Sequence, residues 1–146
     1  CLCDWSDNPF AERNKRRLER YLKASFKTDT TPVLEETKRQ LDEFFAGKRM
    51  AFDIQIRLAG TDFQQQVWNA LLRIPYGATK SYKEIAQCIG KPKAVRAVAE
   101  AIGANGISIL IPCHRVIGSN RSLTGYAGGL VAKRMLLGME TTGHKC

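Results

Sequence analysis

The sequence predicts an α+β protein. A small α/β N-terminal region, residues 1–60, precedes a mostly helical domain, residues 61–146, that contains a helix-turn-helix. Three observations support this prediction. Residues 52–58 alternate apolar and polar side chains, which indicates a half-buried strand. Ala59-Gly60 then marks a boundary, and clear helix-start signals follow it.

The N-terminal region is predicted to contain two helices and the remnant of a strand. Residues 1–5 are interpreted as the end of a strand, and a charged amphipathic helix is predicted over residues 8–26. A second helix is predicted over residues 31–47, because a proline stands at its first position and a glycine at its end. Nothing in this region has the pattern of a catalytic site.

Two capping boxes mark helix starts in the second part. Thr61 is followed three residues later by Gln64, and Ser81 is followed by Glu84 in the same way. The turn at residues 75–77 separates the two helices that these boxes open. The sequence therefore predicts a helix after Thr61 and a shorter one after Ser81.

A further helix, predicted over residues 91–103, follows the stop at Gly90 almost at once, so the two helices form a helix-turn-helix pattern. Small side chains on this helix would let its backbone approach a nucleic acid closely. Its early residues include Lys93, Ala94 and Arg96. Helix pairs of this kind also occur without any DNA role, so the pattern alone does not decide the function.

The net charge of +9 is concentrated in the second part of the chain. Residues 1–60 carry 12 Lys and Arg against 10 Asp and Glu, a net charge of +2, whereas residues 61–146 carry 11 against 4, a net charge of +7. A basic domain favours a polyanionic partner, nucleic acid first, although many basic proteins bind none.

Residues 112–116 contain a candidate nucleophile. Residues 107–111 are apolar and β-prone, and Pro112 cannot continue a central strand, so the chain is predicted to turn there. Cys113 is then held at the end of a buried strand beside a base, His114, and a fixed cation, Arg115. These surroundings convert a thiol into a thiolate nucleophile. The alternative is a buried structural cysteine followed by an ordinary His-Arg pair.

The remaining cysteines and histidines give little sign of a disulfide framework or a zinc site. An odd number of cysteines without regular spacing favours free thiols in a reducing, intracellular setting. The chain contains only two histidines and no Cys-x-x-Cys pair, so no metal is expected. The cysteines are Cys1, Cys3, Cys88, Cys113 and Cys146, and the histidines are His114 and His144.

The end of the chain combines a glycine-rich stretch with a final helix. Residues 125–129 contain three glycines and a tyrosine, which permits unusual backbone angles and close approach of a ligand, although a simple surface turn has the same composition. The final helix is predicted over residues 130–140. Residues 141–146 are expected to form a frayed tail.

In this order and spacing, the motifs resemble the methylated-DNA–protein-cysteine methyltransferase family, which repairs 6-O-alkylguanine in DNA. The similarity extends from about Thr61 to Glu140, and it is only loose before residue 61, where the family's opening strands are not evident. The motifs that carry it are Phe63-Gln64, Val67-Trp68, Ile74-Pro75-Tyr76-Gly77, Ser81-Tyr82, Ile85-Ala86, Arg96-Ala97-Val98, Asn105, Pro112-Cys113-His114-Arg115-Val116, Gly125-Tyr126-Ala127-Gly128-Gly129 and Leu136-Leu137.

The resemblance implies a role for each residue that matches a family motif. Cys113 would accept the alkyl group, and His114 would act on its thiol through a water. Glu140 would orient that histidine, as in a catalytic triad. Asn105 would brace the turn before the cysteine. Tyr82 would donate a hydrogen bond to the guanine ring as it leaves.

The resemblance also implies a winged helix-turn-helix that binds DNA. Arg96 would enter the minor groove and fill the space of a flipped base. The other residues expected on the DNA-binding surface are Lys93, Ala94 and Arg115. The residues expected to form the substrate pocket are Val116, Tyr126, Ala127 and Gly128.

Three positions depart from the family's usual pattern. Gly106 follows the hinge asparagine where the family often has proline, Ala127 lacks the hydroxyl that many members carry, and Arg121 replaces a frequent glycine. A related group of non-catalytic proteins has tryptophan in place of the cysteine, and Cys113 argues against membership of that group.

The function implied by the resemblance is irreversible, single-turnover transfer of the alkyl group from 6-O-alkylguanine in duplex DNA to the cysteine. Two alternatives stay open, a protein that recognises alkylated bases without repairing them and a Cys-His hydrolase. No cofactor and no membrane association are expected. The protein would act as a monomer on double-stranded DNA in the cytoplasm or nucleoid, or in the nucleus of a eukaryote.

Overall fold

The computed structural model of the protein describes residues 2–27 and 29–143, so Cys1, His144 and Cys146 lie outside the described residues. Two short parallel strands, β1 (Lys80–Ser81) and β2 (Val116–Ile117), pair with each other, and a single 3-10 turn spans Cys113–Arg115. Within the same ranges the chain forms helices α1 to α6 at Ala11–Leu22, Pro32–Phe45, Asp62–Leu72, Tyr82–Cys88, Val95–Gly103 and Gly129–Gly143. The predicted α+β class is confirmed.

Helix α1 is shorter than predicted and is tied to the second half of the chain. It ends at Leu22 because Lys23 adopts a left-handed conformation with φ 52°. Its Arg17 guanidinium donates hydrogen bonds to the carbonyl oxygens of Ala59 and Ala104, at 3.1 and 2.9 Å. Leu18 is buried beside these contacts. The first helix therefore packs on the part of the chain that carries the candidate nucleophile.

Helix α2 begins where the sequence indicates. The Thr31 hydroxyl accepts a hydrogen bond from the backbone N–H of Leu34, and Pro32 occupies the first helical position. The buried side chain of Gln40 bonds both the backbone N–H and the carbonyl of Asp53. This amide thereby holds the following extended segment against the helix.

The predicted strand at residues 52–58 is not formed. Burial does alternate along these residues as the sequence pattern requires, but the segment pairs with no other strand among the residues described. A β-strand needs a neighbouring strand for its backbone hydrogen bonds, and periodicity alone cannot supply one. The predicted strand remnant at residues 1–5 is likewise reduced to a single bridge between Cys3 and Ile107.

The core of the second part lies between α3, α4 and α5. Both predicted capping boxes are present, at Thr61 and at Ser81. Trp68 is buried, and its indole N–H donates to the carbonyl of Ala101 on α5 at 2.9 Å. Apolar side chains fill the space around it: Val67, Leu71, Ile74, Ile85, Val98, Ile102 and Val116. This packing fixes the relative orientation of α4 and α5, which form the helix-turn-helix.

Two helix boundaries differ from the prediction. Helix α5 begins at Val95 rather than at residue 91, because residues 92–94 form a turn that closes with a hydrogen bond from Ala94 to Lys91. Helix α6 continues to Gly143 rather than ending near residue 140. No helix within the described ranges has the length and apolarity needed to span a membrane.

The segment before the candidate nucleophile is buried but is not a regular strand. Ile109 has a positive φ of 72°, and the backbone N–H of Ile111 returns to the carbonyl of Ile107 at 3.1 Å. The side chains of this segment are buried from Ser108 to Ile111. The apolar run therefore predicted burial correctly, but the segment folds as a tight turn instead of a strand.

Candidate active site

Cys113 begins the 3-10 turn and lies at the base of a pocket, with 6% of its surface exposed. The Asn105 side-chain amide donates to the Cys113 sulfur at 3.3 Å and to the Ile111 carbonyl at 3.2 Å. The Asn105 carbonyl oxygen accepts from the backbone N–H of Ile107 at 2.9 Å. One buried asparagine thus braces the turn and supplies a hydrogen-bond donor to the thiol.

His114 is fully buried and points its Nε2 at Glu140 Oε1, 2.7 Å away. Its other ring nitrogen, Nδ1, is buried and has no hydrogen-bond partner among the described residues. A buried ring nitrogen in such a position is normally satisfied by water or by a ligand. The histidine is therefore oriented on one side and open to a further partner on the other.

Arg115 completes a buried ion cluster with Glu140. Its Nε and Nη2 atoms lie 2.8 to 3.1 Å from the Glu140 carboxylate oxygens, and its Nη1 donates to the Ile74 carbonyl at 2.7 Å. Only 7% of Arg115 is exposed. The prediction that Arg115 binds DNA is wrong, because its guanidinium is engaged inside the protein. It holds the carboxylate that orients His114.

The electrostatics of the site keep the nucleophile and base neutral at rest. Burial raises the pKa of Cys113, although the Asn105 hydrogen bond and the charge of Lys133 oppose that rise. Burial lowers the pKa of His114 and outweighs the opposing effect of Glu140. Burial acts to raise the pKa of Glu140, but the hydrogen bonds from His114 and Arg115 prevail and lower it.

Lys133 also belongs to this site, although no motif in the sequence singled it out. It is fully buried, and its ammonium donates to the carbonyls of Thr124 at 2.9 Å and Gly125 at 3.4 Å. Burial lowers its pKa to about 8. The spacing of Lys133, Leu136 and Glu140 places all three on one face of α6, and that shared face is the signal that would have found it.

The pocket above Cys113 has a volume of about 330 Å³. Tyr126 and Ala127, which were predicted in the pocket, line it together with Tyr82 and Asn105. The Tyr82 hydroxyl donates to the Thr124 carbonyl at 3.0 Å. The structure therefore brings Tyr82 and Ala127, which are 45 positions apart in the sequence, to the same pocket around one thiol.

Two residues predicted in the pocket lie elsewhere. Val116 is fully buried in the core and pairs with Lys80 in the two-stranded sheet. Gly128 packs against the ring of Trp5, where a Cβ atom would lie 2.6 Å from the indole. Neither borders the pocket, because Val116 is enclosed in the core and the Trp5 indole covers Gly128.

The predicted DNA-binding residues of the helix-turn-helix are placed at its surface. Lys93 and Arg96 are exposed, and Ala94 is half-buried at the start of α5. The opposite face of α5 is buried in the core, and Ala99 and Ile102 line the pocket above the cysteine. One helix therefore borders both the basic surface and the pocket.

The described residues contain no cluster of three or more His, Cys, Asp or Glu side chains that could hold a metal ion. The site consists of a thiol, an imidazole, a carboxylate, a guanidinium, an amide and an ammonium, together with the phenols of Tyr82 and Tyr126. Such a set can hold a thiolate and move one proton, which suits nucleophilic displacement.

Comparisons of the sequence with a family model and with individual proteins identify the same family. The family described as "6-O-methylguanine DNA methyltransferase, DNA binding domain" matches residues 62–142. The chain is 53% identical over 116 residues to the constitutive methylated-DNA–protein-cysteine methyltransferase of Bacillus subtilis, covering 79% of this chain and 70% of that protein. It is 52% identical over 130 residues to the Mycobacterium bovis protein of the same name, covering 87% and 78%.

Among solved structures, the chain is similar to Mycobacterium tuberculosis OGT in complex with DNA. The TM-score is 0.74 at 54% sequence identity, and the match covers 75% of this chain and 68% of that chain.

Proposed function

This chain belongs to the 6-O-methylguanine DNA methyltransferase family, and from that premise we propose that it repairs alkylated DNA by moving the alkyl group from 6-O-alkylguanine to Cys113. Its activity is that of a methylated-DNA–protein-cysteine methyltransferase. The observation that carries the assignment of the acceptor is the position of Cys113 at the base of the pocket, with Asn105 on its sulfur and the His114–Glu140 pair beside it.

The first step is removal of the thiol proton. His114 is neutral at rest because burial lowers its pKa, so it can accept a proton. Its unpartnered Nδ1 is the site for a water that would relay the proton from Cys113. Glu140 would stabilise the resulting imidazolium through the 2.7 Å contact to Nε2. Asn105 and the nearby Lys133 would stabilise the thiolate.

The second step is displacement at the alkyl carbon. The sulfur–carbon bond forms as the carbon–oxygen bond breaks, and the guanine oxygen leaves with the bonding electrons. Tyr82 would then donate a hydrogen bond to the guanine ring, where negative charge develops. It must exchange its present bond to the Thr124 carbonyl for that new acceptor. The proton that His114 took from the thiol would return through water to the guanine anion, which restores guanine. The product is a thioether, which is not displaced under cellular conditions, so each molecule acts once.

The alkylated base must leave the duplex to reach this pocket. DNA is the partner, as it is for the M. tuberculosis protein of known structure. We propose that α5 lies in the minor groove and that exposed Arg96 fills the space of the extruded base, with Lys93 and Ala94 beside the phosphates. The same helix borders the pocket, which gives the flipped base a short path to Cys113.

Further proposals follow from this function. The protein would act on double-stranded DNA as a monomer, because the proposed site is built from one chain. It would need no cofactor, since the displacement needs only a thiolate and a stabilised leaving group. It would act where the cell keeps its DNA, in the cytoplasm and nucleoid or in a nucleus. Residues 61–146 would form the DNA-binding domain and residues 1–60 the supporting region.

The test is a mass measurement after mixing the protein with duplex DNA containing 6-O-methylguanine. We expect one added methyl group per molecule on the peptide that contains Cys113, with unmodified guanine left in the DNA. The Cys113→Ala variant should bind the DNA and gain no mass. The matched control is Cys88→Ala, which removes an exposed free thiol and should transfer normally.

Two results would contradict the proposal. Tight damage-specific binding by the wild-type protein without any mass change would indicate a recognition protein instead of a repair protein. A methyl group found on Cys88 or Cys3 in place of Cys113 would place the acceptor elsewhere.

A further inference from the structure

The N-terminal segment, residues 3–10, reaches the pocket above Cys113 from outside the matched domain. Its backbone is fixed to the turn before the cysteine: the N–H of Cys3 donates to the Gly106 carbonyl at 2.9 Å, and the N–H of Ser108 donates to the Cys3 carbonyl at 2.6 Å. Pro9 and Phe10 line the pocket at the other end of the segment. The segment therefore spans one side of the site.

Asp4 fixes the shape of this segment. Its carboxylate accepts hydrogen bonds from the backbone N–H of Trp5 at 2.8 Å and from the Asn8 amide at 2.6 Å. It also accepts from the hydroxyl of Ser108, at 3.4 Å. Asn8 is buried, and its side-chain oxygen accepts from the N–H of Phe10 at 2.9 Å. These bonds hold Trp5 in a defined place relative to the pocket.

Trp5 contacts the loop over residues 125–128 in three ways. Its indole N–H donates to the Tyr126 hydroxyl oxygen at 2.9 Å. The two rings meet edge to face, with centroids 6.1 Å apart and an interplanar angle of 73°. The indole also packs so closely on Gly128 that any Cβ atom there would lie 2.6 Å from it. Gly128 is thus the small residue that this contact requires.

We propose that Trp5 is a positioning residue for alkyl transfer, holding Tyr126 and the loop over residues 125–128 in the geometry that the extruded base requires. This inference rests on the proposed function. Because the Tyr126 oxygen accepts the bond from Trp5, its own hydroxyl hydrogen can point toward the pocket. Trp5 does not line the pocket itself, but its indole contacts Tyr126, which does, so it acts through Tyr126.

We expect loss of the Trp5 contact to lower the rate of alkyl transfer and to leave DNA affinity unchanged. Binding to DNA depends mainly on contacts to phosphates, and Trp5 is an uncharged residue whose indole N–H is already bonded to the Tyr126 hydroxyl. Loss of the indole N–H removes one neutral hydrogen bond, so the maximal single-turnover rate should fall by roughly threefold to tenfold.

The experiment measures single-turnover transfer from 6-O-methylguanine in duplex DNA, together with the dissociation constant for that DNA. The Trp5→Phe variant keeps a ring but loses the N–H, and Tyr126→Phe removes its partner. We expect each to lower the maximal rate while changing affinity by less than about twofold, and the double variant to be no slower than the slower single variant. The control is Tyr21→Phe, an exposed aromatic on α1, which should match the wild type.

Gly128→Ala provides a second approach that retains Trp5. The added methyl group must displace the indole, so the same loss of rate with unchanged affinity is expected. Thermal unfolding of every variant separates a loss of rate from a loss of folded protein.

Three outcomes decide the matter. The inference is overturned if Trp5→Phe and Gly128→Ala both transfer at the wild-type rate, or if the effects of Trp5→Phe and Tyr126→Phe multiply in the double variant. It is also overturned if only DNA affinity changes. Failure of the wild-type protein to transfer any methyl group would instead contradict the proposed function itself, so the two failures are distinguishable.

Discussion

Replacement of Glu140 by glutamine tests the buried charge cluster beneath the nucleophile. The carboxylate is fully buried and accepts hydrogen bonds from Arg115, with His114 Nε2 at 2.7 Å and the backbone N–H of Gly77 at 3.4 Å. Glutamine has nearly the same shape but no charge. The substitution therefore leaves the Arg115 guanidinium inside the protein without its counter-ion.

The magnitude follows from burial. Breaking a buried ion pair by removing one partner costs about 3–5 kcal/mol, because the remaining charge is uncompensated. The amide oxygen of glutamine still accepts one bond, so we expect the lower end, about 3 kcal/mol. For a protein of this length that corresponds to a fall in Tm on the order of 10 °C. The transfer rate should fall by roughly 100-fold, since His114 loses the anion that stabilises its protonated form.

The measurements are urea unfolding at pH 7 and single-turnover methyl transfer. Glu43→Gln is the matched control, because Glu43 also contacts two arginines, Arg39 and Arg49, but at the surface. It should cost between about 0 and 1 kcal/mol and leave transfer unchanged. Equal losses of stability for the two variants would refute the reasoning, and so would a wild-type transfer rate in folded Glu140→Gln.

Three other predictions concern the same site and the DNA surface. Folding lowers the pKa of His114 from 6.5 and that of Glu140 from 4.5, so on acidification the unfolded chain binds protons before the folded protein does. The free energy of unfolding in urea should therefore begin to fall near pH 6.5 and continue to fall below pH 4.5. A flat profile between pH 7 and 4 would contradict this assignment. Asn105→Ala should lose about 2 kcal/mol of stability in urea and slow transfer, because the Cys113 sulfur loses its donor, and a wild-type rate would exclude that role. Arg96→Ala should slow transfer from duplex DNA more than from free 6-O-alkylguanine base while leaving Tm unchanged, whereas equal slowing on both substrates would argue against a role in base extrusion.

Local chemistry explains which parts of the fold were predictable. The capping boxes at Thr61 and Ser81 and the proline at the start of α2 act within four residues, so the sequence alone specifies them. Whether residues 52–58 form a strand depends on a pairing partner that is distant in sequence. Where α5 begins depends on the exact turn before the helix. Periodicity predicted the burial of residues 52–58 but could not show that no strand would pair with them.

The same distinction applies to the site. Cys113 and His114 could be named from their own motif, and Glu140 from the resemblance to the family; the structure brings the histidine and glutamate to 2.7 Å. Arg115 was misassigned because a charged residue in a basic domain is usually exposed, and only tertiary packing reveals its buried partner. Trp5 could not be predicted at all, since its contact with Tyr126 joins segments 121 positions apart.

The placement of Lys133 and Glu140 on α6 also bears on how the protein is made. A ribosome adds Cys113 to the chain before either of them, so the thiol exists for a time without its buried neighbours. During that interval its acidity is that of any cysteine in a flexible peptide. In the folded protein burial raises the pKa of that thiol, and Lys133 on the last helix is one of the groups that oppose the rise. The charges that favour the thiolate, and the carboxylate that orients His114, are therefore complete only when the last helix has docked and the pocket has formed.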